Sequence, residues 1–323
     1  MRRREFLALV GGAALSRPRS ARAQPAMPVI GFLDTSADTG AKLSSFYDGL
    51  KTEGFVRNQN VAVDYRAAAA DPRRLAELAA DLVNRKVAMI AAAGIPAALA
   101  ARTATTTIPI VFAVGSDPVK IGLVESLNRP GGNITGVTAL AVELEQKRIE
   151  LLHELIPAAK SFALLINSTN PNAETQKSDA LTAAGKMGLK LDVLNANTER
   201  DFDSVFAALT ELRAGGLVIS NDGLFIALSR ELAALSLRNG VPTIHQYREF
   251  TAAGGLMSYG ANQVEFYHQA GAYSGLILRG ANAADLPVYQ VTRVQLIVNL
   301  KTAKSLALTV PLTLLGRADE VIE

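Results

Sequence analysis

One α/β unit occurs twice in this sequence, and that repetition constrains the fold more than any other feature. Short β-branched runs at 28–33 (PVIGFL), 60–66 (NVAVDYR), 87–92 (VAMIAA) and 108–114 (IPIVFAV) are separated by helical patterns at about 40–54, 72–85 and 95–105. From residue 161 the order returns, with strands at 161–166, 189–194, 216–220 and 241–245 and helices at about 172–187, 201–213 and 224–239. Strands alternating with helices predict a parallel sheet covered on both faces. The helix at 72–85 shows the pattern well. Leu75, Leu78, Ala79, Leu82 and Val83 recur at three- and four-residue steps, after Asp71-Pro72, a cap followed by proline at the first helical position.

The copies also agree in spacing. Val61 to Ile108 spans 47 residues and Leu191 to Val241 spans 50. Each copy has an acid-capped helix (Asp71, Asp201), a turn before the next helix (Gly94; Asn221-Asp222-Gly223) and an X-Pro strand start (Ile108-Pro109; Val241-Pro242). The expectation is an α/β protein of two similar parallel-sheet domains with an interdomain cleft and a hinge. Residues 24–139 with about 261–290 would form the first domain and 140–260 the second, after a segment at 1–23. The tail 291–323 would be a crossover, unassigned to either domain. The stretch 129–136 (RPGGNITG) reads as a turn feeding the first crossing, and the charged helix 143–156, with Glu143, Glu145, Lys147, Arg148, Glu150 and Glu154, as a solvated face.

In an open parallel sheet, ligands bind beyond the carboxyl ends of the strands, where helix N-termini present unpaired N–H groups. Two such domains facing one another place their strand-to-helix turns around a cleft. The candidate lining is Asp34-Thr35-Ser36, Gly94-Ile95 and Gly115-Ser116-Asp117 from the first copy. The second copy offers Ser168-Thr169-Asn170 and Asn221-Asp222-Gly223. Small and hydroxyl residues of this kind suit a solute carboxylate, and closure about a hinge would trap it. Asp222 is either a counter-charge for a solute ammonium or a helix cap. Tyr259 either presents its ring to the cleft or packs at the hinge. Tyr247, Arg248 and Phe250 follow a strand end and are placed to stack on or pair with a solute, with surface placement the alternative for Arg248.

Other chemistries find little support. Cysteine is absent, which excludes a disulfide framework, a Cys nucleophile and Cys-ligated metal clusters. Only three histidines, 153, 245 and 268, are present, and they read as structural or solvated. Neither G-x-G-x-x-G nor G-x-x-x-x-G-K-[ST] occurs, nor G-x-S-x-G nor H-E-x-x-H. A Ser116–His245 pairing is sterically conceivable, but no third member or cofactor loop accompanies it. The expectation is a binder, not an enzyme, with no cofactor and no metal.

The formal net charge of +3 is misleading. Six arginines and Glu5 fall within residues 1–23, and the remaining 300 residues carry 27 basic and 29 acidic side chains, a net of −2. The basic pI therefore gives no support for nucleic-acid binding. Residues 1–23 combine Arg2-Arg3-Arg4, an apolar run at 6–15 and Ala21-Arg22-Ala23, the layout of an export signal with cleavage before Gln24. That run is about half the roughly 20 residues needed to span a bilayer. Arg3-Arg4-Glu5-Phe6-Leu7 is similar to the twin-arginine signature. The mature chain is expected in the periplasm.

Residues 108–138 (IPIVFAVGSDPVKIGLVESLNRPGGNITGVT) and the tail 285–323 resemble the substrate-binding proteins of ABC transporters, in the family that includes tryptophan/tyrosine-type binders. AAGGLMSYG (252–260) and QKRIELLHELIPAA (146–159) fit the same family. The resemblance implies a two-domain, three-crossover protein of the type I periplasmic-binding kind. It would act as a monomer, binding a small carboxylate-bearing solute and delivering it to a membrane permease and its ATPase. An apolar or aromatic amino acid fits that implication. Two further readings are a ligand-sensing subunit for a membrane receptor and an extracytoplasmic α/β enzyme.

Overall fold

The computed structural model describes residues 27–36, 40–68, 71–139 and 144–323. The export segment expected at 1–23 and the cleavage point expected before Gln24 lie outside them, as does Glu143. The first repeat supplies strands β1 (Val29–Asp34), β2 (Ala62–Ala67), β3 (Met89–Ala93), β4 (Ile110–Val114) and β5 (Ile134–Thr138). They alternate with helices α1 (Ala41–Thr52), α2 (Leu75–Asn84) and α3 (Ile95–Ala104). The second supplies α4 (Leu144–Leu155), β6 (Ser161–Ile166), α5 (Ala173–Lys186), β7 (Lys190–Asn195), α6 (Phe202–Leu212) and β8 (Leu217–Ile219). It continues with α7 (Gly223–Ala227), α8 (Ser229–Arg238), β9 (Thr243–His245), α9 (Arg248–Ala252) and β10 (Met257–Ala261). After these come α10 (Gln263–Leu278), β11 (Tyr289–Gln290), β12 (Val294–Asn299), α11 (Leu300–Ser305), α12 (Leu312–Leu315) and β13 (Glu320–Ile322).

The two sheets share a strand order. The first runs β2-β1-β3-β4-β5-β11, every pair parallel; the second runs β7-β6-β8-β9-β10-β12-β13, parallel except where β12 meets β10. Burial on both faces explains the apolar strands: β3 is Met-Ile-Ala-Ala-Ala with every residue buried, and its alanines let helices approach the sheet. In this order the connections reverse between β1 and β3, and between β6 and β8, so each domain has a crevice at that point.

The chain crosses between domains three times: after β5, between β10 and α10, and between β11 and β12. Helix α10 returns to the first domain, where Phe266, Tyr267 and Ala270 pack with Phe46 and Leu50 of α1. The tail then goes back to the second sheet as β12 and β13.

Three local expectations are corrected. Only the start of 129–136 is a turn, with Gly131 and Gly132 at φ +78° and +61°. Residues 134–138 form β5, fully buried beside β4. Gly136 belongs to that strand because a Cβ there would lie 2.2 Å from the Phe112 carbonyl oxygen. The helix expected at 224–239 breaks at Leu228, which leaves helical dihedrals (φ −104°, ψ 25°). Finally, α4 is no solvated helix: Glu145 and Arg148 are both 0% exposed.

Candidate functional site

A cavity of about 810 Å³, partly open to solvent, lies between the domains at both reversal points. The first-domain wall comes from the ends of β1, β3 and β4 and from α1 and α10; the second comes from the turns after β6 and β8 and from Tyr247.

Asp34 ends β1 and is 1% exposed. Its Oδ2 accepts from Lys42 Nζ at 2.7 Å and from the Tyr65 hydroxyl at 3.0 Å, and its Oδ1 accepts from Ser36 N at 3.0 Å. Burial pushes the Asp34 carboxyl up, and the Lys42 charge opposes that push. Lys42 Nζ also donates to Ser36 Oγ at 3.0 Å and stands 5.7 Å from the Tyr267 ring centroid. This wall therefore holds a carboxylate whose charge is already balanced. Gly94, at φ +93°, begins the turn into α3; a Cβ there would meet Thr35 Oγ1 at 2.6 Å. Its absence lets Thr35 Oγ1 donate to Ala93 O and accept from Ala97 N, tying the β1 turn to the start of α3.

On the opposite wall, Asp222 caps α7. Its Oδ1 accepts from Leu224 N at 2.8 Å and Asn167 Nδ2 at 3.0 Å, and its Oδ2 accepts from Asn170 Nδ2 at 2.7 Å. A carboxylate has about four acceptor positions, so one remains. Among the described residues no Lys, Arg or His forms an ion pair with Asp222. Ile95, Pro96, Leu224, Ile226, Phe266 and Tyr267 supply the apolar and aromatic lining.

Of the residues expected from sequence, Thr35, Ser36, Gly94, Ile95, Gly115, Thr169, Asn170, Asn221 and Asp222 line this cavity. Four others stand elsewhere. Ser116 is buried beside it, its Oγ accepting from Asn172 Nδ2 at 3.1 Å. Asp117 turns back to accept from the Val119 and Lys120 amides. Ser168 faces outward onto Asn197 Oδ1. Tyr259 packs its ring on the apolar core of the second domain. Tyr247 does line the cavity, whereas Arg248 is bound to Glu320 and Phe250 is core. Ser116 and His245 are not partners: the imidazole is fully buried, its Nδ1 accepts from Tyr247 N, and burial together with the Arg148 charge lowers its pKa to about 3.

Sequence reasoning missed two functional groups. Lys42 lies with Ser45, Phe46, Gly49 and Leu50 on the buried stripe of α1, a helical spacing that could have revealed it. Glu145 and Arg148 share the buried stripe of α4 with Ile149, Leu152 and Leu155 in the same way. Their ion pair is 3.6 Å long, and Glu145 Oε1 also accepts from Asn221 N at 3.4 Å. Burial pushes Glu145 up to about 7, the Arg148 charge opposing. Arg148 in turn donates from Nη1 to the Tyr259 carbonyl at 3.2 Å. This pair supports the Asn221-Asp222 turn from behind.

Two doubly wound domains with a solute-sized cavity between their strand ends define a solute-binding protein of the type I periplasmic-binding architecture. The family model described as ABC transporter substrate binding protein matches residues 28–322, and the chain belongs to that family. It is 27% identical over 262 residues to a tyrosine-binding protein of Clostridioides difficile (strain R20291), covering 81% of this chain and 75% of that protein. The structure is similar to an ABC domain from Streptococcus pneumonia in complex with L-Trp, with a TM-score of 0.82 at 24% identity. It is also similar to the ligand-free, open structure of a Clostridium difficile substrate-binding protein with adhesive properties, with a TM-score of 0.65 at 26% identity. Each of these two comparisons covers 91% of this chain and 99% of the other.

Proposed function

We propose that the protein captures an aromatic α-amino acid, L-tryptophan or L-tyrosine, outside the cytoplasm and delivers it to an ABC permease and its ATPase. It acts as a monomeric binder, not as a catalyst. The observation that carries the reading is the asymmetry of charge in the cavity. Asp34 is balanced by Lys42, whereas Asp222 has no cationic partner among the described residues and keeps an acceptor position, so a solute ammonium belongs on the second-domain wall. The start of α3 at Ile95, in the first-domain wall, offers a helix N-terminus to a carboxylate. Phe266, Tyr267 and Tyr247 suit a flat aromatic side chain through offset or edge contacts. The names of the similar proteins agree with this solute class, and the export-type N-terminus agrees with the compartment.

The test is a thermal-shift and calorimetric screen with L-Trp, L-Tyr, L-Leu and N-acetyl-L-tryptophan, using protein stripped of carried-over solute. A solute at 100 times its Kd stabilises the fold by about 2.7 kcal/mol. L-Trp or L-Tyr should raise Tm, while N-acetyl-L-tryptophan, which lacks the ammonium, should not. Equal binding of the acetylated compound, or no response to either aromatic amino acid by folded protein, overturns the reading.

A further inference from the structure

Among the described residues two bonds cross the cleft, and one of them joins residues outside the cavity that a solute would occupy. Asn172 Nδ2, at the start of α5 in the second domain, donates to Ser116 Oγ of the first at 3.1 Å. Ser116 is 2% exposed and Asn172 5%, and neither lines the cavity. Beside them Asn221 Nδ2 donates to the Gly115 carbonyl at 3.4 Å.

Asn221 has no polar atom without a protein partner. Its N donates to Glu145 Oε1, and its carbonyl accepts from Gln176 Nε2 at 2.8 Å and Asn170 Nδ2 at 3.3 Å. Its Oδ1 accepts from Gln246 Nε2 at 2.7 Å, and its Nδ2 reaches the first domain. Asn221 thus ties the cavity wall of the second domain to the first domain. The first-domain end is anchored as well, because Ser116 O accepts from Thr138 Oγ1 at 2.9 Å, and Thr138 ends β5, immediately before the first crossing. The walls also touch at Gly223, where a Cβ would lie 3.2 Å from Thr35 Cγ2.

We propose that Ser116–Asn172 forms a clasp on the cleft margin, beside the Gly115–Asn221 bond at the cavity edge, that holds the two domains together independently of any solute. The clasp sets affinity for every solute by the same factor. A group that touches solute changes affinity according to the solute's chemistry. A group that biases only the open–closed equilibrium scales apparent Kd by the fraction of closed protein, whatever binds. Ser116 and Asn172 are thus positioning residues. The proposal rests on the solute-trapping reading for its affinity readout but not for its conformational one.

The test uses the absence of native cysteine. Spin labels at Lys51→Cys on the first domain and Lys186→Cys on the second, both exposed, report the interdomain distance of the solute-free protein. Ser116→Ala, which removes one oxygen atom, and Asn172→Ala should each move that distribution toward the open form. Each should weaken L-Trp and L-Tyr by one common factor of about 2- to 10-fold, the range expected for one hydrogen bond. The double variant should be little worse than either single one, as coupling through a shared bond requires. An unchanged distance distribution overturns the clasp, and so do clearly different factors for the two solutes. If neither amino acid binds the unaltered protein, the solute assignment fails, and the distance measurement alone decides the clasp.

Discussion

The two domains share a strand order but arrange their buried charges differently. The first places its ion pair, Asp34–Lys42, in the cavity wall, where Ser36 and Tyr65 share the carboxylate. The second places its pair, Glu145–Arg148, one layer behind the wall on α4 and leaves amides around Asp222 at the front. A charge kept behind the wall can stiffen a turn without competing for solute, whereas one in the wall neutralises a neighbour that would otherwise attract or repel it. The repeat thus creates two equal crevices, and charge placement leaves a carboxylate without a cationic partner, among the described residues, in only one of them.

The largest expected effect tests whether the rear pair is structural. Arg148→Met strands the Glu145 carboxylate in a fully buried site, and breaking a buried pair costs about 3–5 kcal/mol. Lys42→Met should cost less, because Asp34 retains Ser36 N and the Tyr65 hydroxyl as donors. Chemical denaturation of both variants measures the difference. The double variant Glu145→Gln/Arg148→Met should recover most of the loss, since replacing both charges of a buried pair is often close to neutral. An Arg148→Met variant no less stable than Lys42→Met would erase the contrast between the domains.

The same pair carries a pH signature. Glu145 is raised from 4.5 to about 7 by burial, so between those values the folded protein holds a proton that the unfolded chain releases. Stability from this group is complete below about pH 4.5 and is lost as pH rises through 7, by at most about 3 kcal/mol. His245 works in the opposite sense. Lowered to about 3, it destabilises the fold as pH falls from about 6.5. Tm against pH from 4 to 8 for the wild type and for Glu145→Gln, which keeps the Arg148 charge beside His245, separates the first contribution: the wild type should lose more stability between pH 5 and 8. Parallel curves would mean that Glu145 titrates normally.

At the front of the second domain, Asp222→Asn keeps the size and an oxygen to cap Leu224 N, but removes the charge and the bond accepted from Asn170 Nδ2. Affinity for L-Trp or L-Tyr should fall by about 10- to 100-fold, the value of a hydrogen bond to a charged group. The Tm of the empty protein should stay within a few degrees. An equal fall on Ser36→Ala in the opposite wall would show that the carboxylate end of the solute, and not its ammonium, dominates the binding energy.

Much of this was legible in the sequence because turns at strand ends are fixed by local pattern. Asp34-Thr35-Ser36 and Asn221-Asp222-Gly223 follow apolar runs, and the topology alone carries them to the cavity. Groups on helix sides were harder to recognise. Lys42, Glu145 and Arg148 occur among residues that also fit an exposed face, and only their phase relative to Phe46 and Ile149 marks them as buried. The strand 134–138 was obscured by Gly136, whose role is close approach to Phe112 and not flexibility. Side-chain direction within a turn carried no sequence signal, which is why Ser168 was expected in the cleft and stands outside it.

Ser168 and Thr169 give the smallest and cleanest form of this distinction. They are adjacent hydroxyl residues in one turn, equal candidates by composition and position. Asn167 Oδ1 accepts from both the amide and the hydroxyl of Thr169, at 3.0 and 2.7 Å, and holds Thr169 in the cavity wall. Asn197 Oδ1 accepts the same two groups of Ser168, at 3.0 and 2.9 Å, and turns that residue outward. Thr169→Val should therefore weaken solute binding a few-fold, the value of one neutral hydrogen bond, whereas Ser168→Ala should leave affinity unchanged. Ser168→Ala should also cost less than about 1 kcal/mol of stability, because its backbone N–H still reaches Asn197. Titration calorimetry on this pair compares two neighbouring hydroxyls that differ mainly in which asparagine holds them. Equal losses would mean that the turn acts as a unit and that direction within it does not matter.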